Sequence, residues 1–403
     1  MQITKCHIDL IEYQSKKLDR GAITEEMGAR LYSAHGQKIS VDFPTPKTEY
    51  QWHLTSQGWV GHIAVTPDFT VSIHPKVSIN NLFRMLEYAY RLDSFEILPG
   101  VVDTDSMADL YERLANILSK RVLDRHQKGL YRAYIAESDQ LAFVRGRLDV
   151  VTSARRPWQV KLDCEFEEHT ADIEDNQILA VTLNRISRSG LCTDRSRPTI
   201  RRAYRALKSV NSSHQMSGKE CIGRFYHRLN EDYEPLHALC RFFLEGTGPQ
   251  LGEGEHAMLP FLLNMARLYE LFVAEWLKAH LPKSYYLKSQ ETVQIDDSGT
   301  LKFNIDLVIY DSESEQVHCV LDTKYKNANS YEPADIAQVM AYAVSKGCHQ
   351  AILVYPKEMP YEYNQYFDNR IRVRGLTFSL DGDLDQQGHK FLKTVFSEEQ
   401  TLI

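Results

Sequence analysis

The pattern of apolar and polar positions divides the chain into three parts. Residues 58–65 and 70–74 are rich in β-branched and aromatic side chains. They flank Thr66-Pro67-Asp68-Phe69, which predicts a hairpin in a β-rich N-terminal part. Pro75 ends the second strand, and behind Asn80-Asn81 the residues Leu82, Met85, Leu86 and Tyr90 recur at helical spacing. From about residue 105 to 207 the pattern is mainly helical, clearest over 108–118 and 175–184, with a turn and an extended segment over 143–150. Residues 209–218 read as a polar loop. Glycines crowd 246–254. No Gly-Lys-Ser/Thr follows and no strand precedes them, so the segment reads as a linker and not as a phosphate loop. Domains are expected over 1–100, 101–254 and 255–403.

The last part has the fullest pattern. A long helix over 261–281, with Met265, Leu268, Phe272 and Trp276 on its buried side, stops at Pro282. An extended stretch over 285–295 and a turn at 296–299 lead to two strands joined by the polar loop 311–316. A helix over 333–346 and an apolar strand over 350–355 follow. Three strands can form an antiparallel meander, and the last can join them through a right-handed helical crossover. The expected fold is a multidomain α+β and α/β protein: a β-rich N-terminal domain, a helical middle region and a C-terminal αβββαβ core.

Strand side chains alternate between faces. In Phe303-Asn-Ile-Asp306-Leu-Val-Ile-Tyr310, residues Phe303, Ile305, Leu307 and Ile309 would form one apolar face, leaving Asp306 on the other with Asn304. On the next strand Val320, Asp322 and Lys324 would share a face. Paired, the strands bring two carboxylates and an ammonium to one spot, the donor set of a hydrolytic magnesium site. Asp306 would anchor the ion, and Asp322 and the Thr323 carbonyl would add oxygens. Lys324 would hold the attacking water or offset charge on a scissile phosphate. Glu270, on the long helix, could reach the ion or its waters. Gln338, on the later helix, could touch a phosphate or order the water. A solvated sheet face with a cross-strand ion pair has the same spacing. Against it, acids are disfavoured in strands, and these interrupt otherwise apolar ones.

Composition narrows the setting. The chain has 403 residues, 43% hydrophobic and 25% charged, ordinary for a globular protein of two or three domains. With a net charge of −7, any contact with nucleic acid needs locally concentrated positive charge. The densest run is Arg185, Arg188, Arg195, Arg197, Arg201, Arg202, Arg205 and Lys208, and a second is Lys120, Arg121, Arg125, Lys128 and Arg132. Either could track a phosphate backbone, and either could be a solvated helix face or a surface for an acidic partner. No base-reading motif accompanies them, so sequence-independent contact with double-stranded DNA is expected. Seven scattered cysteines without a Cys-x-x-Cys suggest a reducing cytoplasm and no zinc cluster. The first residues lack a signal-peptide pattern, and no apolar run approaches the ~18 residues of a membrane span.

An acid on a helix, then Asp306, Asp322-x-Lys324 and Gln338-x-x-x-Tyr342, resembles the PD-(D/E)xK nuclease superfamily, with Ile305 where that pattern often has proline. Within it, the chain resembles the McrC family, nuclease subunits of McrBC-type modification-dependent restriction systems. Ile73-His-Pro75-Lys76, Arg145-Gly146-Arg147-Leu148 and Asp172-Ile-Glu-Asp-Asn176-Gln-Ile-Leu179 add to the likeness. The resemblance implies a Mg2+-dependent type IV endodeoxyribonuclease serving phage defence. Asp306, Asp322, Lys324, Glu270 and Gln338 would be catalytic, and Asp306, Asp322 and Glu270 would hold the metal. It also implies that the chain binds no nucleotide itself. Its partner would be a hexameric AAA+ GTPase that recognises methylated DNA, whose pore receives the N-terminal domain and whose GTP hydrolysis is stimulated. Trp59 and Phe69 in that domain read as core. Two other functions fit: a non-catalytic activator of the motor, or a stand-alone nuclease of repair or recombination.

Overall fold

A computed structural model describes residues 6–66, 68–91, 107–156, 158–211, 216–246, 261–294, 302–326 and 330–396. The expected linker from residue 247 on and the turn at 296–299 lie outside them. In chain order the first elements are β1 (Cys6–Ile11), β2 (Ser15–Leu18), α1 (Glu25–His35), β3 (Ile39–Asp42), β4 (Trp52–Ser56), β5 (Trp59–Thr66), β6 (Phe69–His74) and α2 (Ile79–Ala89). Then come α3 (Met107–Lys128), β7 (Ala133–Leu141), β8 (Arg147–Leu148), α4 (Val150–Arg155), β9 (Leu162–Thr170), α5 (Glu174–Arg188), α6 (Arg197–Ala206) and α7 (Tyr233–Gly246). The last are β10 (Phe261–Asn264), α8 (Met265–His280), β11 (Tyr285–Gln294), β12 (Lys302–Asp311), β13 (Val317–Thr323), α9 (Pro333–Lys346), β14 (Gln350–Tyr355), β15 (Tyr363–Phe367), β16 (Ile371–Thr377) and α10 (Leu384–Phe396).

The described residues within Met1–Leu110 and Gly248–Ile403 form one compact unit, and those within Tyr111–Thr247 form another. The first unit holds three sheets. One has the order β1-β6-β5-β10, with the expected hairpin as β5 and β6; a second is β2-β4-β3. Phe69 is fully buried in their shared core with Trp52 and Ile73, and Trp59 packs at its edge. The third sheet, β11-β12-β13-β14-β16-β15, holds the elements of interest. Strands β11, β12 and β13 run antiparallel, and β14 joins β13 in parallel after α9, the element order expected from the sequence.

Two expectations need correction. The long helix starts at Met265, not at residue 261, because the Asn264 side chain caps it by accepting the Arg267 N–H at 3.1 Å. Phe261–Asn264 is instead strand β10, paired with β5. That close approach requires Gly61, at φ +137°, where a Cβ would lie 2.1 Å from the Phe261 carbonyl oxygen. The middle region is not simply helical. Strands β7, β9 and β8 form a sheet there. Its strands carry exposed Glu137, Glu165, Glu167 and Glu168, so too few apolar positions remain to display a period of two.

Candidate active site and a basic helix

Strands β12 and β13 pair with Leu307 opposite Leu321 and Val308 opposite Val320. This register sets Asp306 beside the end of β13, where its Oδ2 accepts the Thr323 N–H at 3.2 Å and the Thr323 hydroxyl at 3.3 Å. Ile305, Leu307, Val308 and Ile309 are all fully buried, so the strand is covered on both faces and not on one. Asp322 is 1% exposed, which removes the solvated-face reading. Lys324 lies just past the last residue of β13, its N–H still bonded to the Val354 carbonyl at 2.8 Å. Its ammonium stands 2.7 Å from Asp322 Oδ2 and 3.5 Å from Asp335 Oδ1, and it donates to Gln338 Oε1 at 2.9 Å. The Asp322 contact is an ion pair without the alignment of a hydrogen bond, leaving a buried carboxylate oxygen poorly satisfied.

Burial dominates the electrostatics. It pushes the Asp322 carboxyl up to about 7; Lys324 opposes the rise, and Asp306 and Asp335 add to it. Burial also raises Asp306, against the Thr323 N–H and Lys324. Glu270, on α8, is raised by burial and then by the charge of Asp306, which ties the helix acid to the same spot. For Lys324, burial would lower the ammonium, but Asp322, Asp335 and Asp306 outweigh it and hold it above its usual value. Acids that push one another up while a lysine holds them make this spot the candidate site.

The donors suit a hard cation. Among the described residues no three of His, Cys, Asp and Glu already form a cage. Magnesium does not need one, since it is commonly held by one or two carboxylates with waters and substrate phosphate completing the shell. Asp306 and Asp322 are the two carboxylates here with the chemistry for that role. Glu270 is held back: its Oε1 pairs with Arg267 at 2.6 Å and accepts from Gln290. Gln338 is not turned to open space either. Its Oε1 receives Lys324 and its Nε2 donates to the Tyr342 hydroxyl at 2.6 Å, so it steadies the lysine.

Asp335 is the residue that sequence reasoning missed. It is buried on α9, and its carboxylate receives Lys326 at 2.8 Å and 3.0 Å as well as facing Lys324. The signal was its spacing: Asp335, Gln338 and Tyr342 stand at i, i+3 and i+7 and share one helix face.

The predicted basic residues separate into two kinds. Arg188, Arg195, Arg201, Arg202 and Arg205 are exposed. Arg197 is partly committed, to Asp194 at 2.8 Å and to the Cys192 carbonyl at 3.1 Å. Arg185 is half-buried and donates to the Met216 carbonyl at 2.6 Å, so it supports the fold. Along α6, Arg197, Arg201 and Arg205 line one cavity of about 420 Å³ with Asp194 and Pro198. Two of the upstream motifs hold the fold together. Gly146, at φ +67°, lets its turn lie against β9, and Arg145 covers the Phe166 ring at 4.0 Å. Asn176 is fully buried, donating to the Tyr131 and Ala171 carbonyls and accepting from the Tyr233 hydroxyl at 2.6 Å.

The fold and site define a mixed α/β protein of several sheets, the largest of which carries a buried Asp-x-Lys beside a second strand acid. The chain belongs to the family described as McrBC 5-methylcytosine restriction system component, which matches residues 54–356. The type IV methyl-directed restriction enzyme EcoKMcrBC of Escherichia coli strain K12 is 22% identical over 271 residues, 62% of this chain and 74% of that protein. Among solved structures, a half-complex from the tetradecameric assembly of Thermococcus gammatolerans McrB AAA+ hexamers with bound McrC shares the fold. It aligns at a TM-score of 0.54 and 18% identity over 96% of this chain and all of that one. No described helix is long and apolar enough to cross a membrane.

Proposed function

We propose that this chain is the Mg2+-dependent endodeoxyribonuclease subunit of a McrBC-like restriction complex, with a PD-(D/E)xK core. The carrying observation is the buried convergence of Asp306, Asp322 and Lys324, with Glu270 coupled to Asp306 by charge. Asp306 and Asp322 would hold the ion. A bound magnesium ion would supply Lewis-acid activation of water and charge neutralisation on the phosphate. Lys324, steadied by Gln338 and Asp335, would orient the attacking water and offset charge growing on the scissile phosphate. Glu270 would join after exchanging Arg267 for the metal's waters. The exposed arginines of α6 would run along the backbone of methylated double-stranded DNA, with the base recognised elsewhere.

Support for the partner comes from the McrB AAA+ hexamers in the structure that shares this fold. The chain would assemble with such a ring, stimulate its GTP hydrolysis and bind no nucleotide. A second reading, a non-catalytic activator of the motor, draws on one observation: Arg267 already occupies Glu270. Lys324→Ala separates them. The nuclease reading expects DNA cleavage to vanish while GTPase stimulation persists. Wild-type chain that raises GTP hydrolysis but fails to cut DNA with any divalent metal would establish the activator instead.

A further inference from the structure

Behind the Asp322-x-Lys324 segment sits a buried carboxylate that the mechanism above does not use. Glu12, one residue past β1, is fully buried. Its Oε2 accepts the Tyr325 hydroxyl at 3.1 Å and the Lys76 N–H at 3.4 Å, while its Oε1 is buried without a partner. The next residue, Tyr13, donates its hydroxyl to the Tyr325 carbonyl at 3.0 Å. Tyr325 is thus gripped from both sides, at its side chain by Glu12 and at its backbone by Tyr13. It is also the residue that follows Lys324.

The grip is costly to build. A buried carboxylate with an unpartnered oxygen destabilises the fold. Tyr13 adopts a left-handed backbone, φ +56°, which a non-glycine residue rarely holds without surrounding constraint. Gly58, at φ +74°, makes room for the Tyr13 hydroxyl, which would lie 2.4 Å from a Cβ placed there. The Lys76 ammonium, from the His-Pro-Lys motif, sits 5.5 Å from the centre of the Tyr13 ring. Strain and an unmet polar atom gathered at one contact indicate a function beyond packing.

We propose that Glu12 and Tyr13 are positioning residues of the nuclease: through Tyr325 they set where the Lys324 ammonium stands, so the N-terminal sheet is part of the catalytic apparatus. This rests on the nuclease reading. Placement matters at this scale, since an error of about 1 Å in a reacting group can cost about a hundredfold in rate.

The test uses the full chain assembled with its AAA+ GTPase partner, on a plasmid carrying 5-methylcytosine, under single-turnover conditions. Tyr325→Phe removes the hydroxyl and keeps the ring. Glu12→Leu removes the acceptor, and Glu12→Gln restores one. The expected result is a loss of about tenfold or more in cleavage rate for Tyr325→Phe and Glu12→Leu, with DNA affinity unchanged. The double variant should be no slower than the slower single one, and Glu12→Gln should regain most of the loss. Tyr13→Phe, which frees the Tyr325 carbonyl, should also slow cleavage, and it serves if Glu12→Leu fails to fold. Cleavage within twofold of wild type for both Tyr325→Phe and Tyr13→Phe overturns the proposal, as do losses that multiply in the double variant. Wild type and Lys324→Ala run alongside keep the two ideas apart. If wild type cuts, Lys324→Ala does not and the tyrosine variants cut normally, only the positioning role falls.

Discussion

Lys324 and Asp335 face each other across the gap between the end of β13 and α9, ammonium to carboxylate, at 3.5 Å. Asp322 is nearer the lysine, at 2.7 Å, yet it is also a carboxylate proposed for the metal. When a cation takes Asp322, the ammonium needs a second anion to keep it in place, and Asp335 is placed to serve. Asp335→Asn should therefore lower the cleavage rate by roughly tenfold while leaving the KM for DNA unchanged. Lys326→Met controls for the other lysine that Asp335 holds and should have little effect. A KM effect without a rate effect would remove Asp335 from this role.

If Asp322 holds the metal, binding is linked to protons. Burial lifts its carboxyl to about 7, so near neutrality a fraction carries a proton that a bound cation would displace. Magnesium binding should release protons at pH 7, and affinity should fall as pH drops below about 7. Calorimetry in two buffers of different ionisation enthalpy measures that release without reference to activity. The same heat in both buffers would show that no proton leaves Asp322 when the ion binds at pH 7. Asp322→Asn should abolish both the proton release and cleavage.

The reach of the sequence differed between elements for physical reasons. The meander and crossover were readable because β12, β13 and β14 are long apolar runs bounded by turn residues. The convergence of Asp306 with Asp322-x-Lys324 followed from strand alternation and antiparallel pairing. What escaped was set by tertiary contact. Asp335 looks like a first-turn helix acid, and only packing of α9 against the β13 end turns it toward lysines. Glu12 has no periodic signature at all, since its burial depends on a tyrosine over three hundred positions away. Arg267 beside Glu270 was visible at i, i+3, but its preference for that acid emerged only when both were enclosed.

The stability of the chain should register Glu12. Burial raises its carboxyl from 4.5 to about 7, so the folded state favours the protonated form. Its favourable contribution is complete below about pH 4.5 and is lost as pH rises through about 7, leaving a buried charge above that. Glu12→Gln should thus stabilise the protein at pH 8, by up to about 3 kcal/mol, and change little near pH 4.5. Urea unfolding at the two pH values measures the difference. An equal shift at both would mean that Glu12 does not titrate in this window.

The arginines of α6 give the last prediction. Arg201 and Arg205 are exposed beside a common cavity, whereas Arg197 is partly spent on Asp194. If the helix follows a phosphate backbone, each free arginine displaces about one counterion, and the contact is independent of base sequence. Changing Arg201 and Arg205 together to Gln should weaken DNA binding uniformly across sequences. It should also reduce the magnitude of the slope of log affinity against log salt by about two. The change should leave the unfolding midpoint in place, because neither side chain is buried. Arg185→Gln should do the reverse, lowering stability by freeing the Met216 carbonyl while leaving the salt slope intact. Binding titrations at several salt concentrations decide the matter, and an unchanged slope in the double variant would assign this helix to a solvated surface.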